Sequence, residues 1–490
     1  MNTTTSEQKN SNKIQHPNII YILADDMGYG DLSCLNENSK LHTTNFDNLA
    51  NEGMLFTDAH SSSSVCTPSR YSILTGRYNW RSSLKYGVLG GYSNSMIEDN
   101  RLTVATLLKQ KGYKTACIGK WHLGLNWEWQ DNETVDFTKP ISKGPNEFGF
   151  DYFYGISASL DMSPYAYIEN DRVTQIPDHI TKNDDEMCFW REGPTAPDFK
   201  HIEVMPNLTK KVLDTIDTYS DSPFFIYYPL PAPHTPILPT EKFRGLSGTN
   251  SYGDFVLMCD DVVGQITNKL KEKGLYDNTI IIYTSDNGCS PTADYEELSK
   301  YGHNPSYIYR GTKSDIYEGG HRIPLIVSWP DKIKPKSISD DPVCLVDFMA
   351  TIADVVNFEL PDEAGEDSIS NLPIWLDKPY EKPFRDAIVH HSIDGSFSIR
   401  KDNWKLEMCP GSGGWSYPNA EKDETKDLPP IQLYNLDNDI KEIKNVYDKY
   451  PEVVNDLKDL LTKYIVNGRS TKGKVQKNTG PDHWSQLNWF

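Results

Sequence analysis

The stretch Asn18-Ile19-Ile20-Tyr21-Ile22-Leu23-Ala24 runs directly into Asp25-Asp26-Met27-Gly28-Tyr29-Gly30-Asp31. An unbroken apolar, β-branched run of this kind suits a strand buried on both faces, as in a parallel sheet. Adjacent carboxylates at the end of such a strand are costly unless a cation or a basic partner neutralises them. In open α/β sheets, ligands collect at the carboxyl ends of strands. A metal site is therefore the better expectation here, and a solvated acidic turn the plainer alternative.

Outward from this strand the pattern repeats. Helical periodicity over 44–53 is followed by a helix start near Cys66, where Pro68 suits a first turn. Amphipathic segments at 102–111, 208–219 and 254–272 alternate with apolar runs at 115–119, 224–228, 279–284 and 323–329. A further helix is expected over 347–357. Repeated strand–helix units predict an α/β fold, with a mostly parallel central sheet covered by helices on both faces.

The segment 358–385 is rich in Pro, Asp and Glu and reads as a boundary. Beyond it, short strands at 387–391, 396–400, 404–408 and 432–436 precede a helix over 451–466, as in a small α+β subdomain with an antiparallel sheet. The expected division is a disordered lead-in over 1–17, a main domain over 18–375 and a C-terminal subdomain over 376–490. At 490 residues the chain is long enough for that arrangement.

The formal charge of -20 argues against nucleic acid as a partner. It does not exclude a local basic pocket for an anion. The eight cysteines are scattered without a C-x-x-C pair, so mostly free thiols are expected. No apolar run approaches a membrane span, and the polar start shows no signal peptide. The expectation is a soluble cytoplasmic protein, or a periplasmic one if a leader has been removed.

Several motifs carry chemistry. Asp286-Asn287-Gly288 ends the run at 279–284, giving a second acidic cluster at a strand end. Hard cations take such oxygen ligands. Gly119-Lys120-Trp121-His122-Leu123-Gly124 follows another strand; if it is extended, Lys120 and His122 point to one side. His234 is fixed between Pro233 and Pro236. Arg310-Gly311-Thr312-Lys313 leads into Glu318-Gly319-Gly320-His321-Arg322. Cys66-Thr67-Pro68-Ser69-Arg70 is followed at once by Leu74-Thr75-Gly76-Arg77. A lone cysteine is more often a buried apolar residue, but this string does not stand alone.

C-x-P-x-R followed by L-T-G-R resembles the maturation signature of the formylglycine-dependent sulfatases. G-K-W-H-L-G and the R-G-x-K…E-G-G-x-R segment are similar to strings of the same family, so the likeness covers roughly residues 17–330. It implies an alkaline-phosphatase-like sandwich with a smaller C-terminal subdomain. It implies oxidation of Cys66 by a formylglycine-generating maturase, with the aldehyde hydrate as nucleophile beside Arg70. Lys120 and Lys313 would hold sulfate, His122 would act as base and His234 as proton donor to the leaving alcohol. Asp25, Asp26, Asp286 and Asn287, with residue 66 itself, would bind Ca2+; oxygen ligands alone also permit Mg2+. Ser159 aligns more loosely with a serine placed at the sulfate in some relatives.

The implied substrate is a sulfated carbohydrate of the kind found in algal polysaccharides or glycosaminoglycans. Two other readings remain open at this stage. Phosphonate monoester and phosphodiester hydrolases share C-x-P-x-R, and a non-catalytic glycan-binding relative would keep the fold. The remaining histidines carry no motif, although His303 and His321 could face a cleft. The Gly411–Gly414 loop beside Trp415 could do so too.

Overall fold

Alternate residues of the Asn18–Asp25 strand point into two separate cores. Ile20, Ile22 and Ala24 pack on one side and Ile19, Tyr21 and Leu23 on the other. All are essentially inaccessible, which is why the run is apolar without alternation. A computed structural model describes residues 16–489. Of the lead-in expected over 1–17, residues 1–15 lie outside the described residues. Pro17 is tied down, its carbonyl accepting the Tyr113 hydroxyl at 2.8 Å.

The central sheet has ten strands among the described residues. Asn18–Asp25 lies between Phe224–Pro233 and Thr279–Ser285, parallel to both. Lys114–Lys120 and Tyr152–Ile156 extend the parallel set on the far side of Phe224–Pro233. Toward each edge one strand reverses this direction. Leu325–Ser328 runs antiparallel to Thr279–Ser285, and Ile168–Glu169 and Arg172–Val173 form an antiparallel fringe. The α/β expectation holds, with a mixed sheet that is mostly parallel.

Helices cover both faces. Val204–Tyr219 and Ser251–Glu272 bury Leu208, Val212, Phe255 and Val263 against one side. Cys66–Thr75, Val104–Gln110 and Phe348–Val355 cover the other. Gly76 ends the Cys66–Thr75 helix at φ +63. A Cβ there would come within 2.8 Å of Met349 and 2.9 Å of Gly365, so the left-handed stop and the packing both require glycine.

A separate four-stranded antiparallel sheet follows the order Ile388–His391, Phe397–Lys401, Trp404–Glu407, Gln432–Asn435. The Pro451–Val466 helix packs on it through Val454, Leu457 and Leu461. Tyr78 and Trp80, which follow the Leu74–Arg77 string, share this core. Buried Arg81 reinforces the junction through Asp367 at 2.7 Å. No helix among the described residues is long and apolar enough to cross a membrane. All eight cysteines are free thiols.

Candidate active site

The parallel register aligns Ala24 with Ser285, so the two strands deliver Asp25-Asp26 and Asp286-Asn287 side by side. Contacts across this seam hold the two acidic ends together. The Asp26 amide donates to Asp286 Oδ1 at 3.3 Å, and Asn287 Nδ2 donates to Asp26 Oδ1 at 2.7 Å. Ser285 Oγ, which no motif singled out, accepts from the Met27 amide at 2.9 Å. Asp26 itself sits at φ +66, a conformation Asp tolerates better than most residues.

Cys66 is the first residue of its helix and is buried at the same end of the sheet. Ligand atoms of Asp25, Asp26, Cys66 and His234 all lie within 4.8 Å of one another. Arg70, one turn along the helix, donates to Asp286 Oδ2 through Nε at 3.0 Å and Nη2 at 2.7 Å. Its Nη1 donates to the Lys120 carbonyl at 3.0 Å. Lys120 Nζ lies 2.5 Å from both Asp25 Oδ2 and Ser159 Oγ. The loosely aligned serine is thus in the site. Lys313 Nζ donates to Asp26 at 2.8 Å, and Ser159 Oγ lies 3.5 Å from His234 Nε2.

His122 arrives differently from its expected route. The strand stops at Lys120, and His122 adopts φ +54, so extended alternation does not place it. Its Nε2 instead lies 2.7 Å from the Leu89 carbonyl, which makes Nε2 the protonated nitrogen of a neutral ring. Nδ1 is buried without a partner. His303 and His321 do not stand around Cys66: His303 is tied to Asp31 at 2.9 Å, and His321 is buried beside His60. The Trp415 amide donates to Ser314 Oγ at 3.0 Å and Asp315 Oδ1 at 2.9 Å, one and two residues from Lys313. Trp415 as a whole is 44% exposed.

The electrostatics suit a bound cation and an anionic ligand. Burial would raise Asp25, yet Lys120, His234 and Arg70 hold its carboxyl well below the usual range. Burial and the neighbouring Asp25 charge raise Asp286. Asn287 Oδ1 is buried with no hydrogen-bond donor, and Asp25 Oδ1 has no hydrogen bond and only the Arg70 guanidinium beside it at 3.5 Å. Buried acceptors are seldom left bare, and two of them between carboxylates fit the donor set of a hard cation. Burial pushes the Cys66 thiol up to about 12, so the unmodified thiol is a poor nucleophile at neutral pH. Burial, then Lys120 and Arg70, holds His122 well below the usual imidazole range; burial and Lys313 also lower His234.

Residues 17–358 match the family model described as Sulfatase. The chain belongs to the sulfatase family. Its members hydrolyse sulfate esters, and the chain is a sulfuric ester hydrolase by that membership. Residues 312–467 also match a model described as N-sulphoglucosamine sulphohydrolase, C-terminal. An N-acetylgalactosamine-6-O-sulfatase of Bacteroides thetaiotaomicron is 34% identical, over 93% of this chain and 94% of that protein. Human arylsulfatase A is 30% identical, over 96% and 92%. A solved B. thetaiotaomicron structure, described with the metabolism of multiple glycosaminoglycans, matches with a TM-score of 0.82. That match is 34% identical and covers 92% of this chain and 99% of the other. The phosphonate monoester hydrolase of Agrobacterium radiobacter shares the fold at TM-score 0.60 and 18% identity, over 91% and 95%.

Proposed function

We propose that the chain removes sulfate from a carbohydrate, using a formylglycine made from Cys66 and a bound Ca2+. The observation that carries this reading is the meeting of Cys66 with Asp25, Asp26 and His234 within 4.8 Å, ringed by Lys120, Lys313 and Arg70. When bound, Ca2+ held by Asp25, Asp26, Asp286 and Asn287 would polarise a sulfate oxygen. Once formed, a hydrated aldehyde at position 66 would offer two hydroxyls, one suited to attack on sulfur and the other, on losing its proton, to release sulfate as the aldehyde returns. A maturase must supply that oxidation.

The chain's own residues divide the remaining work. Lys120 and Lys313 place positive charge on two sides of the sulfate, where it is worth most in a buried site. Arg70 sits one turn from residue 66 and favours its deprotonated hydroxyl. The bare Nδ1 of His122 is an acceptor ready to take the second hydroxyl's proton. His234 donates to the leaving sugar oxygen. Its lowered pKa calls for the bound sulfate's negative charge to favour the protonated ring. Ser159 links Lys120 to His234 and aligns both.

The names of the relatives favour a 6-sulfated N-acetylgalactosamine as the first sugar to try. Exposed Trp415, anchored beside Lys313, offers a flat ring of the kind sugars stack on. The test pairs intact-mass analysis of enzyme coexpressed with a maturase with a panel of defined sulfated oligosaccharides. Modified Cys66 and release of sulfate from a 6-sulfated hexosamine are expected. Preference for a phenylphosphonate over a nitrophenyl sulfate would overturn the reading.

A further inference from the structure

The direction of the His122 ring is set by a segment that holds no helix or strand. Residues 86–93 are irregular, yet their backbone is clamped at four points. The Gly87 amide donates to the Ile393 carbonyl at 2.8 Å, and the Leu89 amide to Thr67 Oγ1 at 3.2 Å. The Gly90 amide donates to Ser93 Oγ at 2.9 Å, and the Gly91 carbonyl accepts Trp127 Nε1 at 3.0 Å. At the centre of these contacts, the Leu89 carbonyl holds His122 Nε2 at 2.7 Å.

That carbonyl decides the tautomer of the ring. A backbone oxygen only accepts, so Nε2 keeps its proton and the lone pair stays on Nδ1. The peptide carrying the oxygen is fixed on both sides. Thr67 holds the amide of residue 89, and Ser93 holds the Gly90 amide, which shares a plane with the Leu89 carbonyl. The Lys114–Lys120 strand cannot fix the ring, because it ends two residues earlier and His122 stands at φ +54.

Thr67 directly follows Cys66, lies in the first turn of the Cys66–Thr75 helix and is completely buried. A Thr hydroxyl commonly bonds backbone within a few residues of itself. This one accepts instead from Leu89, 22 residues further along.

We propose that Thr67 is a positioning residue for sulfate release: through Leu89 it ties the base His122 to the helix that carries residue 66. The inference rests on the role given to His122 above. Proton transfer needs the acceptor at a fixed spacing from the reacting group, and a misplacement of about 1 Å costs about 100-fold. The C-terminal subdomain joins the same frame. The Ile393 amide donates to the Ser314 carbonyl at 3.0 Å, next to Lys313, while the Ile393 carbonyl holds Gly87.

The test is Thr67→Val, which removes the hydroxyl and keeps the shape, beside Thr67→Ser, which retains the acceptor. Each is coexpressed with a maturase, and kcat is scored per modified chain by intact mass. Sulfate release follows departure of the alcohol and is common to every substrate. Thr67→Val should therefore lower kcat about tenfold, to one shared value for a sugar sulfate and a nitrophenyl sulfate, with kcat/KM near the parent's. Thr67→Ser should recover most of the loss. Ser93→Ala, outside the C-x-P-x-R string, should act as Thr67→Val does, and it serves if Val at position 67 prevents modification or folding. In unmodified protein, hydrogen exchange at the Leu89 amide should be faster in Thr67→Val than in the parent or Thr67→Ser. Unchanged exchange there, unchanged kcat in both Thr67→Val and Ser93→Ala, or equal falls in kcat and kcat/KM that Thr67→Ser does not recover each overturn the proposal. Retained turnover in His122→Ala would instead overturn the base assignment beneath it.

Discussion

Arg70 and Asp286, far apart in the chain, form a fully buried pair at 2.7 Å across the ends of a helix and a strand. The guanidinium also holds the Lys120 carbonyl, so one side chain locks three motifs into one frame. Removing one partner of a buried pair leaves an uncompensated charge, at about 3–5 kcal/mol. Arg70→Ala should therefore lose activity, and urea unfolding should show an unfolding free energy lower by about 3–5 kcal/mol. Arg70→Lys should recover part of the stability without the two-pronged contact to Asp286. An Arg70→Ala protein as stable as the parent would show that the pair contributes nothing.

Cys66→Ala should fold, bind sulfated ligand and turn nothing over. The unmodified parent makes a related check. With its thiol pushed up to about 12, Cys66 should resist alkylation at neutral pH longer than the half-buried Cys188. Retained turnover in Cys66→Ala would end the proposed mechanism.

His234→Ala should separate substrates by leaving group. General acids contribute about 10²–10⁴-fold, and chiefly where the departing oxygen is basic. A sugar sulfate should lose rate on that scale, whereas a nitrophenyl sulfate, with its better leaving group, should lose much less. Equal losses on both would make His234 a positioning residue.

Trp415→Ala should raise KM for sulfated oligosaccharides with little change in kcat, and leave nitrophenyl sulfate hydrolysis nearly unchanged. A stacked ring contributes about 1 kcal/mol, or roughly fivefold in KM. Identical kinetics on both substrates would place Trp415 outside the substrate path.

Stability should fall as the solution becomes acidic, through histidines buried in their neutral form. Burial lowers His391 to about 3 and His201 to about 4. The unfolded chain takes up these protons near pH ~6.5 and the folded chain does not. Stability from each group is complete above that pH and is lost as pH falls toward the folded value, with a slope of about 1.4 kcal/mol per pH unit. Urea unfolding of His201→Asn between pH 6 and 4.5 should show a shallower slope than the parent. An unchanged slope would mean that His201 is not buried neutral.

Much of this was legible in local sequence. A run with no polar interruption announced a strand covered on both faces, and Asn18–Asp25 is that strand. Fixed strings such as C-x-P-x-R and G-K-W-H-L-G identified Cys66, Arg70, Lys120 and His122, because backbone turns and reactive groups there lie within a few residues of one another. Ser159 was visible only as a loose alignment, since its role rests on contacts to Lys120 and His234, which are distant in the chain.

The sequence by itself singled out the residues that gather at the strand ends and the segments that are buried, because both depend on residue type and short spacing. Only the tertiary structure decided the reversed strands near the edges of the sheet, the left-handed turn that aims His122 at the Leu89 carbonyl, and the meeting of His60, His321 and His390. These are products of strand register and subdomain docking. Contacts between residues hundreds of positions apart leave no periodicity in the chain, so only the folded backbone brings them into view.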